Sequence, residues 1–262
     1  MQRTYKVLIS LAVALCLAWG AAAEIVVSPL TIEVPANPGD EAAGSFVIRN
    51  AGTAAENVTV SAFGYTLDST GAILLDPAVR SLVPYLTFSP VTFSVLPGEE
   101  NAVTFRFTAP PEVGDHWAIF FVEGSTIVPV SASSGDVQTS VGVKVQYGVK
   151  LIQRDPNATR DGAIVGMSLL AGDTPSVGVS FVDLGNSVLR KASGWVEFRD
   201  VAGTAVSRVA LDEFTTLPGG FRDLAVAIPG EVLSVQGTYL ALCVVDFGGE
   251  RLVAGELQFS VE

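Results

Sequence analysis

Hydrophobic and polar positions alternate with a period of two through most of the chain after residue 23. Short runs rich in Val, Phe and Thr are separated by Gly, Pro, Asn and Asp at intervals of about 8–12 residues. No window has the 3.6-residue period of an amphipathic helix. The pattern predicts an all-β protein made of sandwiches. The clearest predicted strands span residues 44–49, 58–65, 91–95, 102–108, 117–122, 177–182, 194–199, 205–211, 223–228 and 239–246.

The order of strands and turns repeats once along the chain. A Leu-Pro-Gly turn at residues 96–98 precedes a strand, a Pro-containing bend and an apolar strand, and the same order follows residues 217–219. The offset of roughly 120–130 residues indicates two similar units. We therefore predict two tandem immunoglobulin-like β-sandwich domains, at residues 24–154 and 155–262. The boundary lies in the polar segment 154–162.

The first 23 residues have the form of a cleaved signal peptide. Arg3 and Lys6 precede an apolar run at residues 7–19, and alanines at 21–23 precede Glu24. The run is too short to cross roughly 30 Å of hydrocarbon. We expect cleavage before Glu24, export, and no membrane span afterwards.

The charged and reactive residues exclude several function classes. The chain has 27 acidic and 15 basic residues with no basic run, which argues against nucleic-acid binding. His116 is the single histidine, and Cys243 is the single cysteine after residue 23. We find no nucleophile elbow, Ca²⁺ loop or phosphate loop. We predict no enzyme activity, no catalytic residue, no metal and no cofactor. We expect Cys243 to be buried. We also expect Trp117 and Trp195 to be core residues, which argues against a carbohydrate-binding sandwich because such a site needs exposed aromatic side chains.

One segment alternates for much longer than an ordinary strand of about five or six residues. From Val137 to Leu151 every second side chain is Val, Thr, Tyr or Leu, and nearly all of the others are polar or Gly. At about 3.3 Å per residue, this strand extends roughly 50 Å. It is either the last core strand of the first domain or a strand whose projecting end pairs with another protein.

Three segments resemble the periplasmic pilus-assembly chaperones of the PapD-like family. They are Val-Lys-Leu-Ile-Gln-Arg-Asp-Pro at 149–156, Phe-Ser-Val-Leu-Pro-Gly at 93–98 with the strand at 103–107, and Trp-Ala-Ile-Phe-Phe-Val at 117–122. The resemblance implies a periplasmic protein that binds a secreted or pilus-type subunit by β-strand donation. It also implies an outer-membrane usher as a further partner.

The resemblance also implies a binding site. Lys150 matches the Lys that in this family anchors a subunit's terminal carboxylate, but the family's second anchor, an Arg in the first strand, has no counterpart at residues 25–34. Arg49 is a candidate substitute. The alternative function is a structural or adhesive immunoglobulin-like module of the cell surface, in which the long strand is simply core. The residues expected to fill the partner's groove are Val141, Val143, Val145, Tyr147 and Val149.

Overall fold

The computed structural model describes residues 25–77, 80–134 and 137–262, with backbone but no side chains at 126–134 and 137–143. The predicted signal peptide at 1–23 lies outside these residues. The first half contains β1 (Ile25–Ser28), β2 (Thr31–Pro35), β3 (Glu41–Asn50), β4 (Glu56–Phe63), β5 (Tyr65–Leu67), β6 (Ile73–Leu75), β7 (Leu86–Ser89), β8 (Thr92–Val95), β9 (Glu100–Thr108), β10 (His116–Ser134) and β11 (Val137–Arg154).

The second half continues the all-β pattern with one short helix, α1 (Gly230–Leu233). Within the described ranges, no helix is long and apolar enough to span a membrane. The strands are β12 (Gly162–Leu170), β13 (Ser176–Asp183), β14 (Leu189–Asp200), β15 (Ala205–Thr216), β16 (Phe221–Ala227), β17 (Gly237–Asp246) and β18 (Val253–Val261).

Two sheets form the first sandwich. One has the order β1-β3-β9-β7, the other β2-β11-β10-β4-β8, and a small hairpin, β5-β6, lies beside them. Their facing side chains bury Phe46, Phe105 and Phe120, and the ring centroid of Phe120 lies 5.2 Å from that of Phe46 and 5.8 Å from that of Phe105. Burial of apolar side chains stabilises the fold by about 1.5–3 kcal/mol each.

The first predicted strand divides at Pro29. β1 pairs antiparallel with β3 in one sheet, whereas β2 pairs in parallel with residues 150–154 of β11 in the other. Pro has no backbone N–H to donate and is disfavoured inside a ladder, which explains why the strand switches sheets here. The switch brings β2, with Glu33, beside the end of β11.

β10 and β11 form a long antiparallel hairpin. Their register runs from His116 opposite Gln153 to Ser134 opposite Val137, with one irregularity between Glu123 and Ile127. The Ser and Gly content of residues 131–136 favours a loose loop, but this expectation is wrong for 131–134, which belong to β10. Pairing with β11 overrides the weak local preference of these residues.

The second sandwich packs β12-β13-β16 against β15-β14-β17-β18. Its core includes Phe181, Phe198 and Cys243, all fully buried, so the prediction for Cys243 is confirmed. Burial raises the pKa of the Cys243 thiol to about 12. Trp195 was wrongly predicted as a core residue: it is half-buried on the outer face, where the Arg208 guanidinium lies 3.8 Å from its ring centroid. The fold class is confirmed as two immunoglobulin-like sandwiches.

Candidate partner-binding site

β11 has an open edge over most of its length. One side pairs with β10 throughout, but on the other side β2 covers only Lys150 to Arg154. Among the strands that the structure describes, none pairs with this second edge from residue 137 to 149. An uncovered edge presents backbone N–H and C=O groups to an incoming strand.

The aliphatic face of β11 leaves the core of the first sandwich part-way along the strand. Val149 and Leu151 are fully buried, and Tyr147 packs against the same core. Val145, the next residue on that face, is 46% exposed. The side chains of Val141 and Val143 lie outside the described residues. The strand is therefore core at its C-terminal end and exposed at Val145.

The opposite face of β11 points towards the second domain. There Ile152 is buried with Trp117 and Ile119 of the first domain and with Val188 and Leu217 of the second. The burial predicted for Trp117 is thus confirmed, but the residue sits between the domains rather than inside one sandwich. Lys150 lies on the same face of β11 as Ile152, because alternate residues share a face.

Lys150 is half-buried beside a second cation. Among the side chains that the structure describes, no carboxylate pairs with its ammonium group. Burial lowers the pKa of Lys150, and the nearby charge of Arg190 lowers it further. Arg49, our candidate for a second cation, lies exposed in β3, in the sheet without β11. The cation near Lys150 therefore comes from β14 of the second domain.

Glu33 connects the ends of β2, β11 and β14. Its carboxylate accepts a hydrogen bond from Nε of Arg154 at 2.7 Å and forms an ion pair with Arg190. Burial by itself raises the pKa of Glu33, but the hydrogen bonds and charges of both arginines outweigh it and hold the pKa below its usual value. Glu33 thus holds Arg190 near Lys150 as a carboxylate.

A buried carboxylate, Asp115, joins the two domains just before β10. One oxygen accepts from Nη1 of Arg154 at 2.6 Å, from Oγ of Ser187 at 3.0 Å and from the Val188 amide at 2.8 Å. The other accepts from the Asp155 amide at 2.9 Å. Four donors satisfy this buried charge, as burial requires. The network links the segment before β10 to that before β14.

Sequence reasoning did not find the roles of Asp115 and Arg190. Asp115 is next to the single histidine, His116, but Nδ1 of His116 lies 3.1 Å from Oε1 of Gln153. The sequence signal was the charged pair Arg154-Asp155 directly after the long strand, which places ionic groups at the domain junction. In the part of the chain that the structure describes, no three His, Cys, Asp or Glu side chains group to hold a metal ion.

Comparisons with known proteins agree with this architecture. No family model and no curated protein matches the sequence. Among solved structures, a chain from a chaperone–tip adhesin complex of CFA/I fimbriae biogenesis is similar, with a TM-score of 0.50 and 8% identity over 91% of this chain and 99% of that one.

Two further structures are similar. The class 5 fimbriae chaperone CfaA has a TM-score of 0.49 and 8% identity over 91% of this chain and 99% of that one. A chain of the CsuC–CsuE chaperone–tip adhesion subunit complex of Acinetobacter baumannii has a TM-score of 0.46 and 12% identity over 89% of this chain and 98% of that one. The chain therefore has the two-domain immunoglobulin-like fold of the fimbrial chaperones, at a large distance in sequence.

Proposed function

We propose that this chain is a periplasmic, chaperone-like protein that binds an exported, pilin-like subunit by β-strand addition at the open edge of β11. The observation that carries this proposal is the coincidence of two features on one strand. Among the described strands, none pairs with the second edge of β11 from residue 137 to 149, and the aliphatic face of β11 leaves the core at Val145. Because the sequence resembles the pilus-assembly chaperones, we also propose an outer-membrane usher as a further partner.

The backbone and the side chains of β11 have different roles in this proposal. The free N–H and C=O groups pair with a strand of the subunit, which supplies affinity independent of sequence. Val141, Val143, Val145 and Tyr147 lie on one face of the strand by alternation and fill an apolar groove in the subunit. Val149 is fully buried in its own domain, so it contributes through its backbone at the end of the paired segment.

Lys150 ends the paired segment and holds a carboxylate of the subunit. Its half-buried ammonium group lacks an anionic partner among the described side chains, and Arg190 adds a second positive charge. A hydrogen bond to a charged group contributes about 1.5–3 kcal/mol. The subunit's terminal carboxylate is the natural ligand, because a chain end needs no room beyond Lys150, where β2 closes the edge.

The experiment compares two equivalent substitutions at exposed valines. Val145→Asp places a charge on the proposed groove-filling face of β11, and Val165→Asp places the same charge in β12, where Val165 is 57% exposed. Both variants should keep the thermal midpoint of the native chain. Val145→Asp alone should lose co-purification of the exported subunit. Equal retention of the subunit by both variants contradicts strand addition and favours the structural or adhesive module.

A second pair of variants tests the carboxylate anchor. Lys150→Gln removes the charge, whereas Lys150→Arg keeps it. We expect Lys150→Gln to weaken subunit binding about tenfold, in line with the loss of one charge-assisted hydrogen bond. Binding that is unchanged in Lys150→Gln would exclude the anchor while leaving strand addition open to the valine test.

A further inference from the structure

A pocket of about 220 Å³ at the domain junction gathers basic side chains beyond the covered C-terminal end of β11. It lies between the segment that joins β11 to β12, the start of β14 and the turn after β17. Four of its lining residues are cationic and one is a carboxylate, although the chain as a whole has 27 acidic and 15 basic residues. The charged residues are Arg154, Arg160, Arg190, Lys191 and Asp246.

Two of the four cations are not neutralised. Arg154 and Arg190 share the carboxylate of Glu33. Arg160, by contrast, donates from Nη1 to the carbonyl of Gly248 at 2.9 Å. Lys191 has no hydrogen bond or ion pair with any side chain that the structure describes. The Asp246 carboxylate accepts from the Gly248 amide at 2.8 Å and is the only acidic group lining the pocket.

The backbone at Lys191 is shaped to bring two successive cations to one place. Lys191 has a φ of 57°, and it is the one non-glycine residue with positive φ in the described ranges. It sits where the β14–β15 register shifts, between Leu189 and Ala192. Successive side chains of a regular strand point to opposite faces. The left-handed turn breaks this alternation, so Arg190 and Lys191 line the same pocket, at a backbone cost of about 1–2 kcal/mol.

We propose that this pocket binds a doubly charged oxyanion, either a phosphoryl group or a dicarboxylate. Arg160 offers a planar guanidinium fork that matches such oxygens, and Lys191 offers a compact ammonium. Ser193 also lines the pocket. The volume holds a phosphate-sized group with several waters, since one water occupies about 30 Å³. The pocket shares Arg190 with the proposed subunit anchor, but Arg160 and Lys191, which carry this proposal, take no part in that anchor.

Titration calorimetry of the purified chain at low salt, with inorganic phosphate in one arm and succinate in the other, tests the proposal. We expect one saturable site for at least one of them. Lys191→Asn removes the charge but tolerates the left-handed backbone, and it should weaken binding about tenfold, as for one lost charge-assisted contact. Arg160→Gln should have a similar effect, and Lys191→Arg should retain binding.

Two controls separate this site from other effects of charge. Lys144→Gln removes an exposed cation of β11 that does not line the pocket, so it should change the affinity by no more than about twofold. Lys150→Gln removes the proposed subunit anchor and should weaken anion binding less than Lys191→Asn does. The proposal is overturned if neither probe shows saturable binding, or if Lys144→Gln weakens it as much as Lys191→Asn. Loss of binding in Lys150→Gln would place the anion in the subunit site instead.

Discussion

Arg154 and Asp115 form an ion pair of 2.6 Å that joins the end of β11 to the segment before β10. The same Nη1 of Arg154 donates to the carbonyl of Val188 at 2.7 Å, and the Asp115 carboxylate also accepts from Ser187 and Val188. Both charged groups therefore hold the second domain as well as each other. The pair therefore contributes to the junction that places Arg190 near Lys150.

Removal of the carboxylate should loosen the domain junction. Asp115→Ala leaves the Ser187 hydroxyl and the Val188 amide without their acceptor and removes one of the two carboxylates that pair with Arg154. Breaking a buried pair in this way costs about 3–5 kcal/mol. Urea unfolding followed by the fluorescence of Trp117, which lies in the junction, measures the loss. Asp173→Ala, in an exposed turn, is the control and should change stability by less than about 0.5 kcal/mol. A similar small change for both variants contradicts the structural role of Asp115.

Asp183 should make the second domain less stable as the pH rises through mildly acidic values. Its carboxyl is buried and accepts from Oγ1 of Thr216 at 2.9 Å. Burial raises its pKa to about 6 from 3.8; hydrogen bonds from Thr216 and Gly185 offset part of this rise, and the charges of Asp115 and Asp161 add to it. The folded state thus binds a proton more tightly than the unfolded state. The free energy of unfolding therefore falls as the pH rises from about 4 to 6, and it stays lower above that range.

The Asp183→Asn variant isolates that contribution. The difference in unfolding free energy between variant and native chain should grow in favour of the variant by about 3 kcal/mol from pH 4 to pH 7, at 1.36 kcal/mol per unit of pKa. Urea titrations at a series of pH values measure it. Asp173→Asn should show no such trend, and a flat difference for Asp183→Asn would rule out the raised pKa.

The pKa of Lys150 should respond to Arg190. Burial and the charge of Arg190 both lower it, so Arg190→Gln should move the pKa of Lys150 upwards, and the release of the Glu33 carboxylate should act in the same direction. Titration of the Lys150 side chain by NMR gives the value directly. Arg106→Gln, which removes an exposed charge in β9, should not change the pKa of Lys150. An unchanged pKa of Lys150 in Arg190→Gln would contradict an electrostatic interaction between Lys150 and Arg190.

The left-handed backbone at Lys191 predicts an unusual order of stabilities. Lys191→Gly should be neutral or stabilising, because Gly adopts positive φ without strain, whereas the β-branched Lys191→Val should be about 2 kcal/mol less stable than Lys191→Gly. The same changes at Lys144, in an extended strand, should give the opposite order, since Val is favoured there and Gly is not. Thermal melts of the four variants test both orders, and the same order at both sites would contradict the prediction.

The sequence predicted most strands because the period of two is a local property of extended chains. It also contained the correct answer for Trp195, which alternates with the core residues Val196 and Phe198 and shares a face with the charged Glu197 and Arg199. The division at Pro29 was likewise readable from the missing amide, although the sheet to which each half belongs was not.

The site was only partly accessible to sequence reasoning. The length of the alternating segment left open whether β11 is a core strand or a projecting one, and the structure buries Val149 but exposes Val145. Arg190 lies 40 positions after Lys150, in the second domain, and no local pattern relates them. Their proximity results from the domain junction through Glu33, Arg154 and Asp115. Similarly, the pocket at Lys191 depends on a register shift that the sequence does not mark.

Photo-crosslinking in the exporting cell tests strand addition at β11 most directly. A benzophenone-bearing amino acid replaces Val145 in one variant and Val165, exposed on β12, in the other. We predict an adduct from position 145 alone, and mass spectrometry should place it in the C-terminal segment of a single exported protein. Equal adducts from both positions, or adducts at position 145 that avoid a C-terminal strand, would contradict strand addition.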